Sequence, residues 1–289
     1  MNVPPLQFCP DTTLRFQSAR IVETVSQMKL SSSKWPAQFL SKAKGLIVPL
    51  LFLGLWKFVA DKQWFPPMLL VPPGRVLESF GEVYKSGVLK ENLLVSLDRV
   101  AKGFLLGASL GFATGVLLGL SKHAEELLAP SLRAVRQVPL LGWLPLIILW
   151  FGIGELSKIV FISIGAFFPT MLNTTIGIRG VSREYLEVGK VYQLSRVRLL
   201  FLVILPAALP SIISGVRLSM SLSWMLVVAA ELIGANSGIG QMMSSAREMF
   251  QTEIVMVGII VIGLVGMVID TAIRQVETSL GGWQKAGKS

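Results

Sequence analysis

The sequence contains few of the side chains on which metal and nucleophilic chemistry depend. Its 289 residues include one cysteine, Cys9, and one histidine, His123. A single cysteine excludes a disulfide within the chain, and one residue of each kind is too few for a Cys/His metal site. The His-Glu-x-x-His pair of zinc proteases is absent as well. We interpret both residues as incidental and expect neither a catalytic site nor a metal site in this chain.

Charged side chains are also scarce. They make up 15% of the chain, whereas 52% of the residues are hydrophobic and the mean hydropathy is +0.64. Soluble domains carry about 25% charged residues. The formal net charge of +10 could indicate nucleic-acid binding. The basic residues, however, gather in an N-terminal arm, a central loop and the C-terminus, as expected for the cytoplasmic parts of a membrane protein. We therefore predict a membrane protein with a lipid bilayer around it and no nucleic-acid partner.

Apolar segments divide the chain. They cover about 45–60, 97–120, 127–151, 156–178, 207–232 and 254–274. About 20 residues cross a bilayer as a helix, so we predict an all-α integral membrane protein with about six transmembrane helices. A cleaved signal peptide is the alternative for the first segment, but the run begins far from Met1 and no Ala-x-Ala site follows it.

This count of segments predicts the topology. Residues 1–43 would form a cytoplasmic N-terminal arm, residues 44–278 the transmembrane domain and residues 279–289 a cytoplasmic tail. The polar stretches 61–95 and 234–253 would then be external loops. Both termini would lie in the cytoplasm, which agrees with their basic side chains.

Two of the apolar segments contain glycines or prolines whose positions predict how the helix backbone packs or bends. The second segment has a glycine at every fourth position: Gly103, Gly107, Gly111, Gly115 and Gly119. Small residues at this spacing allow two helix backbones to approach closely, and the partner helix could belong to the same chain or to another. The third segment contains Pro139 and Pro145. Because each proline removes a backbone donor, we expect a kink or an interruption there.

The central loop, residues 179–206, is polar and cationic. Its basic residues are Arg179, Arg183, Lys190, Arg196 and Arg198, against the two acidic residues Glu184 and Glu187. Ser182 is a candidate N-cap, and Tyr185, Val188 and Tyr192 recur at helical spacing. We predict a short amphipathic helix at the cytoplasmic face.

The loop resembles the coupling loop of permease subunits of ATP-binding-cassette (ABC) importers. Glu187 occupies the Glu position of that pattern, and Val188-Gly189 occupy the two alanines. The later hydrophobic-x-Leu-Pro tail corresponds to Val203, Leu205 and Pro206. Gln193 stands where the pattern has a glycine, so the turn after the helix is expected to differ.

A second resemblance narrows the family. Residues 144–153 read Leu-Pro-Leu-Ile-Ile-Leu-Trp-Phe-Gly-Ile, followed by Glu155 and Lys158. This string is similar to that of the aliphatic sulfonate and taurine permeases, and the similarity continues over about residues 70–275. The related nitrate and bicarbonate permeases lack the Leu-Trp-Phe-Gly-Ile pattern, so sulfonate-type substrates are favoured.

The resemblance implies an importer subunit that is not catalytic alone. Two copies of the permease would form the pathway in a bacterial cytoplasmic membrane, two cytoplasmic ATPase subunits would bind ATP and Mg, and an external binding protein would deliver the substrate. The permease itself would bind no cofactor. The implied ATPase-coupling residues are Glu184, Glu187, Gly189, Gln193, Leu205 and Pro206.

The fifth helix supplies the candidates for a pathway. Five side chains recur at offsets of 3, 4, 3 and 7 and would share one face of this helix: Ser214, Arg217, Ser221, Trp224 and Glu231. Asn173 on the fourth helix is a further candidate. An Arg within the membrane costs roughly 2.5–3.5 kcal/mol and should have partners. Arg217 could lend positive potential to an anion passage, or it could bind helix carbonyls or a carboxylate near the inner face. Glu231, about 21 Å further along the axis, is too far away to pair with it.

Two other interpretations carry less weight. Residues 282–289 match the phosphate-binding P-loop pattern by letters, but the chain ends at Ser289 without the helix that such a loop needs. We interpret the match as accidental. An ion-driven secondary transporter should show inverted repeats, and we find none in the sequence; an intramembrane enzyme lacks a nucleophile–base constellation.

Overall fold

The computed structural model describes residues 35–66 and 68–280, with side chains from residue 47 to residue 277 apart from residue 67. It divides the chain into two compact units, one up to Lys62 and one from Gln63 onwards. In the described part of the first unit the chain forms helix α1, Trp35–Asp61, which contains the first predicted apolar segment. Most of the predicted N-terminal arm, including Cys9, lies outside the described residues, as do most of the predicted C-terminal tail and the P-loop-like run.

The second unit is helical throughout its regular elements. They are α2 (Pro73–Lys85), α3 (Val88–Leu120), α4 (Lys122–Gln137), α5 (Leu140–Phe151), α6 (Glu155–Arg179), α7 (Arg183–Val191), α8 (Arg196–Leu199), α9 (Leu205–Gly234), α10 (Ile239–Glu248) and α11 (Thr252–Leu280). A π-helical turn, Leu200–Ile204, joins α8 to α9.

Four stretches of the described residues are long and apolar enough to cross a membrane: Val88–Leu120, Glu155–Arg179, Arg196–Gly234 and Thr252–Glu277. Helices α4 and α5 together would make a fifth span, bent by 96°. The all-helical membrane fold is therefore confirmed. The remaining predicted segment is the first, residues 45–60 in α1, whose side chains are described only from Ile47 onwards.

The third predicted segment is interrupted, as its prolines suggested. Pro139 lies at the break between α4 and α5, and Val138 before it is extended with ψ 126°. A residue that precedes proline is driven out of the helical region by the proline ring. Pro145, in contrast, lies inside α5 without ending it.

The two stretches that the sequence predicts as external loops contain helices. Residues 61–95 contain helix α2 and the start of α3, and residues 234–253 contain α10. Each has one apolar face that the polar composition of the stretch concealed. Val76 and Val83 of α2 are buried, and so are Ile239 and Met242 of α10. Both helices pack against α11.

Helix α6 is the centre of the second unit, and α3 packs along one side of it. The glycines of α3 are the reason for the close approach. A Cβ atom at Gly107 or Gly111 would collide with the backbone of α6 at Ser163 or Phe167, and one at Gly119 would lie 2.8 Å from Ile178. The partner of the glycine ladder therefore lies in the same chain. Residues 107–111, Gly-Ala-Ser-Leu-Gly, also match the serine-hydrolase pattern by letters, but they lie within a continuous helix and not at a strand-to-helix turn.

Helix α9 packs on the other side of α6 through a second row of small residues that the sequence analysis did not single out. These are Ser211, Gly215 and Ser219, again at a spacing of four. The Ser211 hydroxyl donates to the Asn173 carbonyl at 2.8 Å, and the Ser219 hydroxyl donates to the Ala166 carbonyl at 2.9 Å. The neighbouring stripe, which includes Ser214, contains the Arg and Trp that made it the candidate pathway face.

Candidate coupling surface and translocation pathway

The predicted amphipathic helix of the central loop is present as α7. Ser182 is its N-cap residue, with the extended φ of −62° and ψ of 148° expected there, but its side chain makes no capping hydrogen bond. Leu186 packs against a buried cluster beneath the helix, which consists of Ile178, Ile204, Ala208 and Ile212. This cluster joins the carboxyl end of α6 to the start of α9, so a movement of α7 would be passed to both helices.

The opposite face of α7 is open to solvent. Its exposed side chains are Glu184, Tyr185, Glu187, Val188 and Val191. Val191 is 81% exposed and Tyr185 is 59% exposed. Exposed apolar side chains next to two carboxylates are typical of a surface that another protein covers.

Gly189 has a different place from the one its sequence context suggested. It is buried, and a Cβ atom there would collide with the Leu199 side chain of α8. Its close approach in this structure is to α8 of the same chain. This contact fixes the angle between α7 and the helix that continues into α9.

Gln193 takes the left-handed backbone conformation, with φ of 49°. The amide of Gln193 donates to the Lys190 carbonyl at 2.9 Å, and the amide of Leu194 donates to the Gly189 carbonyl at 3.1 Å. These two bonds form a Schellman motif, in which glycine is the usual residue at the left-handed position. The turn thus has the shape that a glycine would give, although a glutamine occupies it.

The end of the loop passes directly into a membrane helix. Leu205 is half-buried against the Ile204 cluster, and Pro206 follows directly after the π-helical turn at the start of α9. The chain is helical without a break from Arg196 to Gly234, a span of 39 residues. The sequence predicts a later start, near residue 207, because the resemblance assigns residues 179–206 to the coupling loop.

Arg217, a pathway candidate, forms ion pairs with α11. Its guanidinium donates to Asp270 Oδ1 through Nε at 3.0 Å and through Nη2 at 2.9 Å, and its Nη1 donates to Glu277 at 3.0 Å. Of the two interpretations of Arg217, the structure supports the carboxylate clamp, since both acceptors lie in the carboxyl-terminal part of α11. The pathway role for Arg217 is not supported by this geometry.

The other members of that stripe also face protein or make local bonds. Trp224 is 6% exposed, and its indole N–H donates to the Ile262 carbonyl of α11 at 3.1 Å. The Ser214 hydroxyl donates to the Pro210 carbonyl one turn earlier at 3.0 Å. Ser221 is exposed. Arg217 and Trp224 therefore pack α9 against α11, whereas a pathway role for Ser214 and Ser221 stays a prediction.

Glu231 is fully buried, at 0% exposure, and belongs to a polar network. It accepts a hydrogen bond from Arg99 Nη1 at 2.7 Å, one from the Ser96 hydroxyl at 2.8 Å and one from the Gly240 amide at 3.0 Å. The Gly240 amide belongs to the first turn of α10, where a negative charge is favoured by the helix dipole. Glu231 thus connects α3, α9 and α10, and its burial does not favour the predicted pathway role.

Arg99 is the residue that the sequence analysis missed. It is 1% exposed and forms a bidentate pair with Glu155, with Nε to Oε2 at 2.6 Å and Nη2 to Oε1 at 2.5 Å. It also donates to the Ser237 carbonyl at 2.7 Å. The sequence contained a signal for this network, because an Arg within a glycine-rich apolar segment needs partners. Glu155 and Glu231 were already recognised as acidic residues near or within other apolar segments.

Asn173, the candidate on α6, borders an open space. It is half-buried, and its side-chain amide donates to the Pro169 carbonyl at 2.9 Å. It lines a cavity of about 410 Å³ between α4, α5, α6 and α9. Of the six pathway candidates, Asn173 alone is among the residues that line this cavity.

The chain is similar to membrane transport proteins in its family assignment, in its individual relatives and in its fold. Residues 104–281 match the family described as "Binding-protein-dependent transport system inner membrane component". The relatives include an aliphatic sulfonates transport permease of Bacillus subtilis, 42% identical over 84% of this chain and 88% of its own length. A taurine transport system permease protein of Escherichia coli is 34% identical over 86% of this chain and 92% of its own length.

Two further similarities extend the comparison. A nitrate import permease protein of a Synechocystis strain is 36% identical over 64% of this chain and 68% of its own length. A chain of the inward-facing MetNI methionine ABC transporter superposes with a TM-score of 0.58 at 17% identity, covering 68% of this chain and 97% of its own. That likeness establishes a shared fold. Together with the four or five apolar spans, the match places this chain in the family of inner-membrane components of binding-protein-dependent transport systems.

Proposed function

We propose that this chain is the transmembrane subunit of an ATP-driven importer of a small anion, of which an aliphatic sulfonate or taurine is the favoured kind. The observation that carries this proposal is the identity of 34–42% to sulfonate and taurine permeases over more than four fifths of the chain. Two copies of the chain would enclose the pathway within a lipid bilayer. ATP and Mg would be bound by separate ATPase subunits, and this chain would need no cofactor.

The coupling surface is the exposed face of α7. We expect each ATPase subunit to bind Tyr185 and Val188 through apolar contacts and Glu187 through a basic group. ATP-driven closure of the ATPase pair would then move α7, and the contacts of Leu186 and Gly189 would pass the movement to α9. On this proposal both termini and α7 lie in the cytoplasm, and the external binding protein docks at the opposite end, where α2 and α10 border a cavity of about 500 Å³.

A transport assay tests the substrate and the energy source together. The permease, its cognate ATPase and its binding protein would be reconstituted in liposomes, and uptake of ethanesulfonate, taurine and nitrate would be compared. We expect ATP-dependent uptake of a sulfonate that does not respond to ion gradients. Uptake of nitrate alone would favour the second candidate, to which the nitrate permease relative points. Uptake driven by an ion gradient without ATP would contradict the proposal.

Charge reversal at Glu187 tests the coupling surface. Glu187 is exposed, so Glu187→Lys should leave the fold intact while it weakens ATPase binding and abolishes uptake. Glu126→Lys is a matched control, because Glu126 is exposed on α4 and undergoes the same change of charge. Normal ATPase copurification and normal uptake with Glu187→Lys would exclude α7 as the coupling surface. Gly189→Trp is a poorer test, since it would displace Leu199 within the chain.

A further inference from the structure

Arg136 lies in the last turn of α4, and its side chain is exposed at the rim of a cavity. It takes part in none of the ion pairs or side-chain hydrogen bonds found among the described residues. It lines the cavity of about 410 Å³ that Asn173 also borders. Leu218 and Leu222 line the same cavity from the interior of the Arg196–Gly234 span. An anionic ligand in the cavity would give Arg136 the partner that it lacks among the described residues.

The rest of the cavity lining is nearly all apolar. Trp143, Phe168 and Leu222 contribute large side chains, and Asn173 contributes the amide. One N–H of that amide is used by the Pro169 carbonyl, which leaves its second N–H available to donate. No carboxylate is among the described residues that line this cavity. The volume lies within the range of about 300–1,000 Å³ that small-molecule sites occupy.

Two adjoining cavities differ in character, so the cavity lined by Arg136 has a charged side and an apolar side. One of about 250 Å³ shares Arg136 and Leu172 with it and contains the Arg179–Glu125 ion pair. The other, also about 410 Å³, shares Trp143 and Phe168 and has an almost wholly apolar lining. The charged groups therefore lie on one side of Arg136 and the apolar walls on the other. A ligand with an anionic head and a short apolar body fits this gradient in a single orientation.

We infer that Arg136 and Asn173 form a binding site for a small amphiphilic anion, an unsubstituted alkanesulfonate, inside the permease. The sulfonate oxygens accept hydrogen bonds from the Arg136 guanidinium and the second Asn173 N–H, and the alkyl chain lies against Trp143 and Phe168. Taurine binds less well, because its ammonium group finds no carboxylate among the described lining residues. This inference rests on the proposed function, and it adds a selective step beyond the external binding protein.

Protection of a single introduced thiol tests the site without any transport. The chain with Cys9→Ser and Leu222→Cys, assembled with its ATPase, would be placed in phosphatidylcholine nanodiscs and treated with a maleimide. Butanesulfonate should slow the reaction of the introduced thiol, with an apparent affinity that rises about fourfold for each added methylene. Arg136→Gln should weaken this protection at least tenfold, Arg136→Lys should weaken it less, and taurine should protect more weakly than ethanesulfonate.

The controls distinguish an alkanesulfonate from a lipid in the cavity, and they distinguish failure of this site from failure of the proposed transport function. Lys122→Gln, the same loss of charge in the first turn of α4, should leave protection unchanged. Protection by phosphatidylglycerol nanodiscs alone, with no further effect of butanesulfonate, would assign the cavity to lipid and overturn the inference. Absence of protection, or protection that Arg136→Gln does not weaken, would also overturn it. If liposomes of the wild-type complex nevertheless take up alkanesulfonates, only this site fails; if they take up none, the proposed substrate fails independently.

Discussion

The side chain of Arg99 is almost fully removed from solvent and shares its charge with Glu155 and Glu231. Burying an ion costs several kcal/mol, and only close partners with good geometry offset that cost. The bidentate bond to Glu155 and the α10 amide that donates to Glu231 supply such geometry. The network holds α3, α9 and the start of α10 together because removal of one partner would leave a buried charge without compensation.

Arg99→Ala should therefore destabilise the permease strongly. We expect a loss of about 3–5 kcal/mol, since Glu231 would remain buried without its cation. The measurement is thermal unfolding in detergent. Lys102→Ala on the same helix is the control, because Lys102 and Asp98 are 59% and 58% exposed and such pairs contribute at most about 1 kcal/mol. Equal melting temperatures for the two variants would contradict the role assigned to Arg99.

Gln193 offers a local test of the turn after α7. A residue other than glycine pays about 1–2 kcal/mol to adopt the left-handed conformation, and Gln193 has φ of 49°. Gln193→Gly should thus slow hydrogen exchange of the Leu194 amide, whereas Gln193→Val should accelerate it. The reverse order would show that the Schellman bonds do not govern this turn.

At the scale of elements, two rows of small residues determine how the helices pack. The glycines of α3 and the serine–glycine row of α9 both contact α6, so three membrane helices form one tightly packed layer. In a membrane the lipid is as apolar as the side chains, and close van der Waals contact and interhelical hydrogen bonds drive this association. The missing side chain of Gly107 allows close backbone contact with α6, and the hydroxyl of Ser219 adds a hydrogen bond to it.

Gly107→Ala tests the α3–α6 contact. Alanine favours a helix over glycine by about 1 kcal/mol, but its Cβ atom would collide with the Ser163 carbonyl. We expect a lower melting temperature and poorer assembly with the ATPase. Gly81→Ala is the matched control, because nothing lies within 4 Å of a Cβ atom at that position of α2. A Gly107→Ala variant at least as stable as wild type would refute the packing argument.

At the scale of the whole molecule, the distribution of charge predicts an orientation that labelling can test. In a Cys9→Ser chain, cysteines at Ser86 and Glu248 should react with impermeant reagents from outside, and cysteines at Ser182 and His123 only from the cytoplasm. All four side chains are exposed. Ser244, which the sequence alone placed in an external loop, is 6% exposed in α10, so Glu248 replaces it as the probe. Exchange of any probe between the two groups would refute the predicted topology.

The sequence by itself determined the class of the protein. Apolar segments of membrane length, the cationic loop and the Leu-Trp-Phe-Gly-Ile string predicted an all-helical permease, and family membership confirms it. The break at Pro139 and the helix after Ser182 were also predictable, because both depend on bonds between residues a few positions apart. The helices α2 and α10 were missed, since their amphipathic faces lie in stretches whose overall composition is polar.

The tertiary structure alone decided which side chains meet. Arg217 and Glu231 lie on one face of α9, yet Arg217 pairs with α11 and Glu231 with Arg99 of α3, 132 residues earlier. Helical periodicity places residues on a face, but it does not specify which helix covers that face. The same limit applies to Arg136 and Asn173, which share a cavity only because α4 bends away at Pro139 and α6 passes beside it.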